Sequence, residues 1–136
     1  MVRRLRVRRC FGGLGEIGRD ECALRAVSRD CTVQLNTERV YTLTMKGILY
    51  KKKPVFFASV SQKESYIGFN LMPLAICPVL AKRVTPELRK SLHGYNCFHF
   101  TAVSETLLKQ LKTLVAASAV AYPAALKAAG YEISRD

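Results

Sequence analysis

The sequence predicts an α+β domain with a mainly antiparallel sheet and helices packed on one face. Two observations carry this. The β-prone runs "PVFFASVS" (54–61) and "SYIGFNL" (65–71) are separated only by "QKE", a loop length that suits a hairpin. The strongest helical pattern, "VSETLLKQLKTLVAASAVAY" (103–122), follows the strands instead of alternating with them, which favours α+β over a parallel sheet.

The elements follow in order. Residues 1–39 read as a basic, weakly ordered N-terminal extension, and 40–136 as a single domain. "MVRRLRVRR" holds five Arg and no acid, and "EIGRDECALRAVSRD" (16–30) has only a thin apolar stripe for a short helix. From 40 to 45, Tyr41, Leu43 and Met45 alternate with Val40, Thr42 and Thr44, a strand period. "KG" at 46–47 offers a turn, and "YKKK" (50–53) reads as lysines keeping a strand edge soluble. In 65–71, Ile67, Phe69 and Leu71 share one face while Tyr66, Gly68 and Asn70 share the other. Pro73 and Pro78 break "MPLAICPVLAKRV" into a turn and a short helix.

"TPELRKSLHG" predicts a helix over 85–93. Thr85 caps it, Pro86 takes the first helical position, and Gly94 takes the left-handed stop. His93 then falls in the last turn, where a cation is favoured. "YNCFHF" (95–100) is a strand with Tyr95, Cys97 and His99 on one side and Asn96, Phe98 and Phe100 on the other. Ser104 caps the long helix, with Val103 and Leu108 spaced as a hydrophobic staple. Leu107, Leu108, Leu111, Leu114, Val115 and Tyr122 form its apolar stripe; Lys109 and Lys112 lie outside it. Pro123 ends or kinks this helix, and "PAALKAAG" adds a turn or two, stopped by Gly130.

Composition narrows the function classes. The chain has 136 residues, 49% of them hydrophobic, enough for one real core. Lys and Arg outnumber Asp and Glu by 22 to 10, a net charge of +12. That balance favours anionic partners such as nucleic acid and disfavours a carboxylate-lined store for hard cations. Five Cys at 10, 22, 31, 77 and 97, with no CxxC, match neither a disulfide framework nor a zinc ribbon. They read as reduced thiols, which places the chain in the cytoplasm. The Arg-rich start is not followed by a secretory apolar segment. The longest uncharged run, 65–81, contains two prolines and Asn70, so no membrane span is expected.

Two stretches resemble chemistry. "GLGEIG" (13–18) fits G-x-G-x-x-G, but the preceding "RLRVRRCF" is poorly apolar for a buried parallel strand and no further βαβ unit follows. "LHGYNCFHF" (92–100) places His93, Cys97 and His99 close together. A helix end followed by an alternating strand does not aim all three at one metal ion, so the reading is a scaffold strand with no metal site and no cofactor. Cys97 and His99 share a strand face and can make a two-point contact. The candidate ligand-binding residues are therefore Tyr66, Asn70, Cys97 and His99 on the less apolar sheet face, bordered by Arg89, Lys90 and His93.

Residues 40–120 resemble the YdhG-like domain-of-unknown-function family. The resemblance rests on "SYIGFNLMPL", Pro78 to Leu80, "TPELRKSLHG", "CFHF" at 97–100 and the amphipathic helix, all in the family's order. The family pattern Gly-Lys-x-Cys-Phe-x-Phe has Tyr95 here in place of Lys and His99 where Asn is common. The resemblance implies a small α+β domain without established catalytic residues. Some relatives are described as frataxin-like iron chaperones, a role that relies on an acidic ridge; the ten carboxylates here are spread thinly.

The leading expectation is a non-enzymatic, chaperone-like or ligand-binding domain taking a small ligand or a protein. The alternatives are a basic protein binding nucleic acid or other anions, and an enzyme using Cys97 with a histidine.

Overall fold

The computed structural model describes residues 31–37, 39–101 and 104–135. The Arg-rich start, the glycine pattern at 13–18, the helix expected within 16–30 and the Val103 staple lie outside the described residues. Among those described, seven strands and four helices form one antiparallel sheet with its helices, the α+β architecture that the hairpin pattern predicts.

The strands are β1 (Cys31–Asn36), β2 (Val40–Tyr50), β3 (Lys53–Gln62), β4 (Ile67–Leu71), β5 (Leu92–His93), β6 (Cys97–Phe100) and β7 (Ile133–Arg135). The sheet order is β1-β2-β3-β4-β6-β5, with β7 also pairing to β2. Every pairing is antiparallel. β1 lies within the segment set apart as the extension, so the sheet begins before residue 40.

Register decides which face is sealed. The pairs Leu43↔Ala58, Tyr41↔Val60, Val60↔Phe69 and Phe69↔Phe98 put one row of side chains on a common face. All of them are buried, as are Ile67, Leu71 and Phe100. In an antiparallel sheet directly opposed residues share a face, so the alternate row is fixed on the other side. That row holds Ser59, Ser61, Gly68, Asn70, Cys97 and His99, all partly exposed.

The turn expected at Lys46–Gly47 is instead a bulge inside β2. The register slips between Thr44 and Leu49, and Gly47 sits there at φ +72°. The bulge bends β2, which pairs with β1 up to Met45 and with β7 from Ile48 to Tyr50. The real reversal falls at Lys51 and Lys52, with φ of 51° and 65°, between the paired Tyr50 and Lys53. Two left-handed residues between paired strands make a type I′ hairpin, which fits the strand twist even without the preferred Asn-Gly.

The helices are α1 (Pro73–Ile76), α2 (Pro78–Ala81), α3 (Pro86–Arg89) and α4 (Glu105–Ala128). The two early prolines each start a one-turn helix, where a missing N–H costs least. α1, α2 and α3 all pack against α4. α4 buries Leu111, Leu114, Val115, Ala119, Tyr122 and Leu126. Of the two outcomes the sequence leaves open at Pro123, an end or a kink, the end does not occur: the helix runs on to Ala128. Burial of Tyr122 and Leu126 on either side of the proline outweighs the ~3 kcal/mol that an interior proline costs. The end comes at Gly130 as expected. Its amide donates to Lys127 O and the Tyr131 amide donates to Leu126 O, both at 3.0 Å, with Gly130 at φ +91°. This is a Schellman closure.

Candidate functional site

The site is built by three strands on the open face of the sheet. β4 pairs with β6 through Gly68↔His99 and Asn70↔Cys97. β5 pairs with β6 through Leu92↔Phe98 and His93↔Cys97. Phe98 and Phe100 turn into the core, so alternation leaves Cys97 and His99 on the polar side.

This register corrects the expected helix over 85–93. α3 stops after one turn, although Thr85 caps it as predicted, its hydroxyl accepting from the Leu88 amide at 3.2 Å. The chain then extends, and the His99 amide donates to Ser91 O at 2.8 Å. Gly94 does take a left-handed conformation, at φ +71°, but it serves the three-residue turn between β5 and β6 and not a helix end. His93 is therefore a strand residue beside the polar row.

The consequence is a column of three rings. Tyr66, just before β4, stacks on His99 with centroids 4.4 Å apart and planes at 28°. His99 stacks on His93 with centroids 4.0 Å apart and planes at 19°. Gly68 lies under the Tyr66 ring, where a Cβ would make only ordinary contacts. A Cβ there would stand 3.7 Å from Tyr66 Cε2, so the phenol ring covers the glycine in the way aromatic side chains shield glycine in sheets. Beside the column, Asn96 Nδ2 donates to Asn70 Oδ1 at 2.6 Å, and the Leu71 amide donates to Asn96 O at 2.9 Å. These bonds tie the β5–β6 turn to β4.

His99 lies between two rings, and its pKa is held below the ordinary 6.5. Loss of water around the imidazole is the larger cause; the neighbouring His93 is the smaller. At neutral pH His99 is therefore an uncharged ring, suited to stacking.

The stack also decides what the histidines do not do together. Imidazole lone pairs lie in the ring planes. Nearly parallel planes 4.0 Å apart send those lone pairs side by side and do not converge them on one ion. Among the described residues no group of three or more His, Cys, Asp or Glu side chains is placed to hold a metal. Cys97 is a free, partly buried thiol and makes no hydrogen bond to either imidazole.

Of the sequence candidates, Tyr66, His93 and His99 come together in the column, and Asn70 and Cys97 sit next to it in the same register. Arg89 does not join them. Its guanidinium donates to Ala81 O at 3.4 Å and Val84 O at 3.5 Å, bracing the α2–α3 connection. Lys90 is exposed at the end of α3, on the segment that leads into β5. Sequence reasoning did not place Asn96 or Tyr95 in the site. Asn96 had no signal, because its role depends on the turn. Tyr95 does carry one, a large aromatic beside a turn glycine, and its side chain is 83% exposed.

No helix among the described residues is long and apolar enough to cross a membrane. No family model, no curated protein and no solved structure matches the chain.

Proposed function

We propose that the chain is a non-enzymatic binding domain of YdhG-like type whose ligand sits on the open sheet face, over Tyr66, Asn70, His93, Cys97 and His99. The observation that carries this is the ring column. Three aromatic or imidazole rings stand on a polar sheet face while the opposite face is filled by Phe57, Phe69, Phe98 and Phe100. The core is complete without them, so packing alone does not require rings at these three positions. The YdhG-like label rests on motifs that follow one another along the chain: "SYIGFNL" at β4, "TPELR" at α3 and "CFHF" at β6.

An iron-chaperone role is not part of the proposal, because the described face lacks clustered carboxylates. A thiol-dependent reaction is not part of it either, since the Cys97 thiol lacks an imidazole partner.

Native mass spectrometry of protein purified without added metal or nucleotide tests the reading. A small molecule retained by the wild type and lost from Tyr66→Ala or His99→Ala supports it. A ligand retained equally by both variants, or no ligand together with open-face amide resonances unmoved by a screen of small aromatic compounds, contradicts it.

A further inference from the structure

Resting on the open-face reading, we propose that this face binds single-stranded nucleic acid by base stacking, with His93 and Tyr95 as the platforms. β5 is the last strand on its side of the sheet. One face of the His93 ring lies on His99; the other has no ring against it among the described residues, and the side chain is exposed. The column spacings of 4.0 and 4.4 Å are close to the ~3.4 Å rise of stacked bases, so a nucleobase placed on His93 continues the column. Two residues on, Tyr95 holds a phenol ring 83% exposed at the head of the β5–β6 turn. Every base offers a planar apolar face, which makes such platforms tolerant of sequence.

Charge complements the rings. The chain carries +12 overall. The strands that build the column, β4, β5 and β6, contain no Asp or Glu to repel a phosphate backbone. Lys90 lies exposed on the short segment that runs directly into β5. An acid-free stretch of open antiparallel sheet bearing stacked rings, on a chain of strong positive charge, is a surface that fits a flexible polyanion with planar groups. A peptide would bring the charge complement of an acidic segment but no regular series of ring faces.

Fluorescence anisotropy of the full chain with labelled oligothymidylate and oligouridylate of ~15 nucleotides tests this. The competitors are a duplex of the same length and inorganic polyphosphate at matched charge. The single strands are expected to bind, and both competitors to displace them poorly. His93→Ala and Tyr95→Ala should each weaken binding roughly five- to hundredfold at fixed salt, with the salt dependence unchanged. His93→Phe, which keeps a stacking ring, should bind nearly as the wild type and so separates loss of the platform from loss of fold. Preference for uridylate over thymidylate assigns the site to RNA, and the reverse to DNA. Equal displacement by polyphosphate, or unchanged affinity in both alanine variants, overturns the proposal in favour of charge alone. No binding of either oligonucleotide at low salt also overturns it. That last result leaves the small-ligand reading to its own mass-spectrometric outcome.

Discussion

Replacing Tyr122 by Phe isolates one bond that joins the helical layer to the sheet. The Tyr122 side chain is 1% exposed, and its hydroxyl donates to Phe56 O at 2.7 Å. Phe56 pairs with Thr44 where the β2–β3 register shifts, so this carbonyl belongs to an irregular part of the ladder. The ring itself packs against Phe57 at 5.9 Å, and Phe at position 122 keeps that contact. What is lost is the donor, leaving a part-buried acceptor with one partner fewer. Such losses cost about 1–3 kcal/mol, and a carbonyl that retains sheet contacts belongs in the lower half of that range. For a chain of this size the change lowers Tm by roughly 4–8 °C. Chemical and thermal melts followed by circular dichroism measure it. Tyr122→Ala, which also removes the ring, should cost about 3–5 kcal/mol. Burial, with a smaller contribution from Tyr131, pushes the Tyr122 phenol well above its usual range, so it remains a donor up to strongly alkaline pH. A Tyr122→Phe variant within about 0.3 kcal/mol of wild type would mean that the hydroxyl is not bonded to the Phe56 carbonyl.

Further predictions concern the turn, the cap and pH. Lys51→Asn with Lys52→Gly places residues suited to positive φ at both turn positions and should raise stability by about 1 kcal/mol, read as a higher urea midpoint at constant slope. Thr85→Ala removes both the cap to Leu88 and the hydrogen bond to Gln110 of α4, and should cost about 1–2 kcal/mol in the same assay. Because the folded-state pKa of His99 is lowered, the unfolded chain binds the proton more readily. The stabilisation is complete above 6.5 and is lost as pH falls from there through the lowered value. Melts across this range should show His99→Phe losing less stability on acidification than wild type; an identical pH dependence contradicts the assignment.

The α+β class was readable because period-2 alternation in 65–71 and the helical stripe from Leu107 to Tyr122 are local signals that tertiary packing did not override. The β2 bulge at Gly47 was not readable. "KG" is ordinary turn chemistry, and only the pairing of Ile48–Tyr50 with β7, and of Leu49 and Tyr50 with β3, keeps the strand going. The passage of α4 through Pro123 was hidden for a similar reason, since it depends on burial of Leu126 beyond the proline. In the site, the shared face of Cys97 and His99 followed from their spacing. The ring column did not, because His93 joins it only when α3 stops after one turn and the Ser91 carbonyl is claimed by the His99 amide. Its capping residues gave no reason to expect so short a helix. Arg89 illustrates the converse: its charge drew it into the candidate site, while its guanidinium is used on two backbone carbonyls elsewhere.

The measurement that bears most directly on the open face is a pH titration of the histidine ring protons by NMR in the full chain. With His99 between Tyr66 and His93, its ring signals should lie upfield of those of an exposed imidazole and titrate below 6.5, and Tyr66→Ala should move them back downfield. His99 signals at the positions of a free imidazole, titrating at or above 6.5 and indifferent to Tyr66→Ala, would contradict the ring column and the binding face built on it.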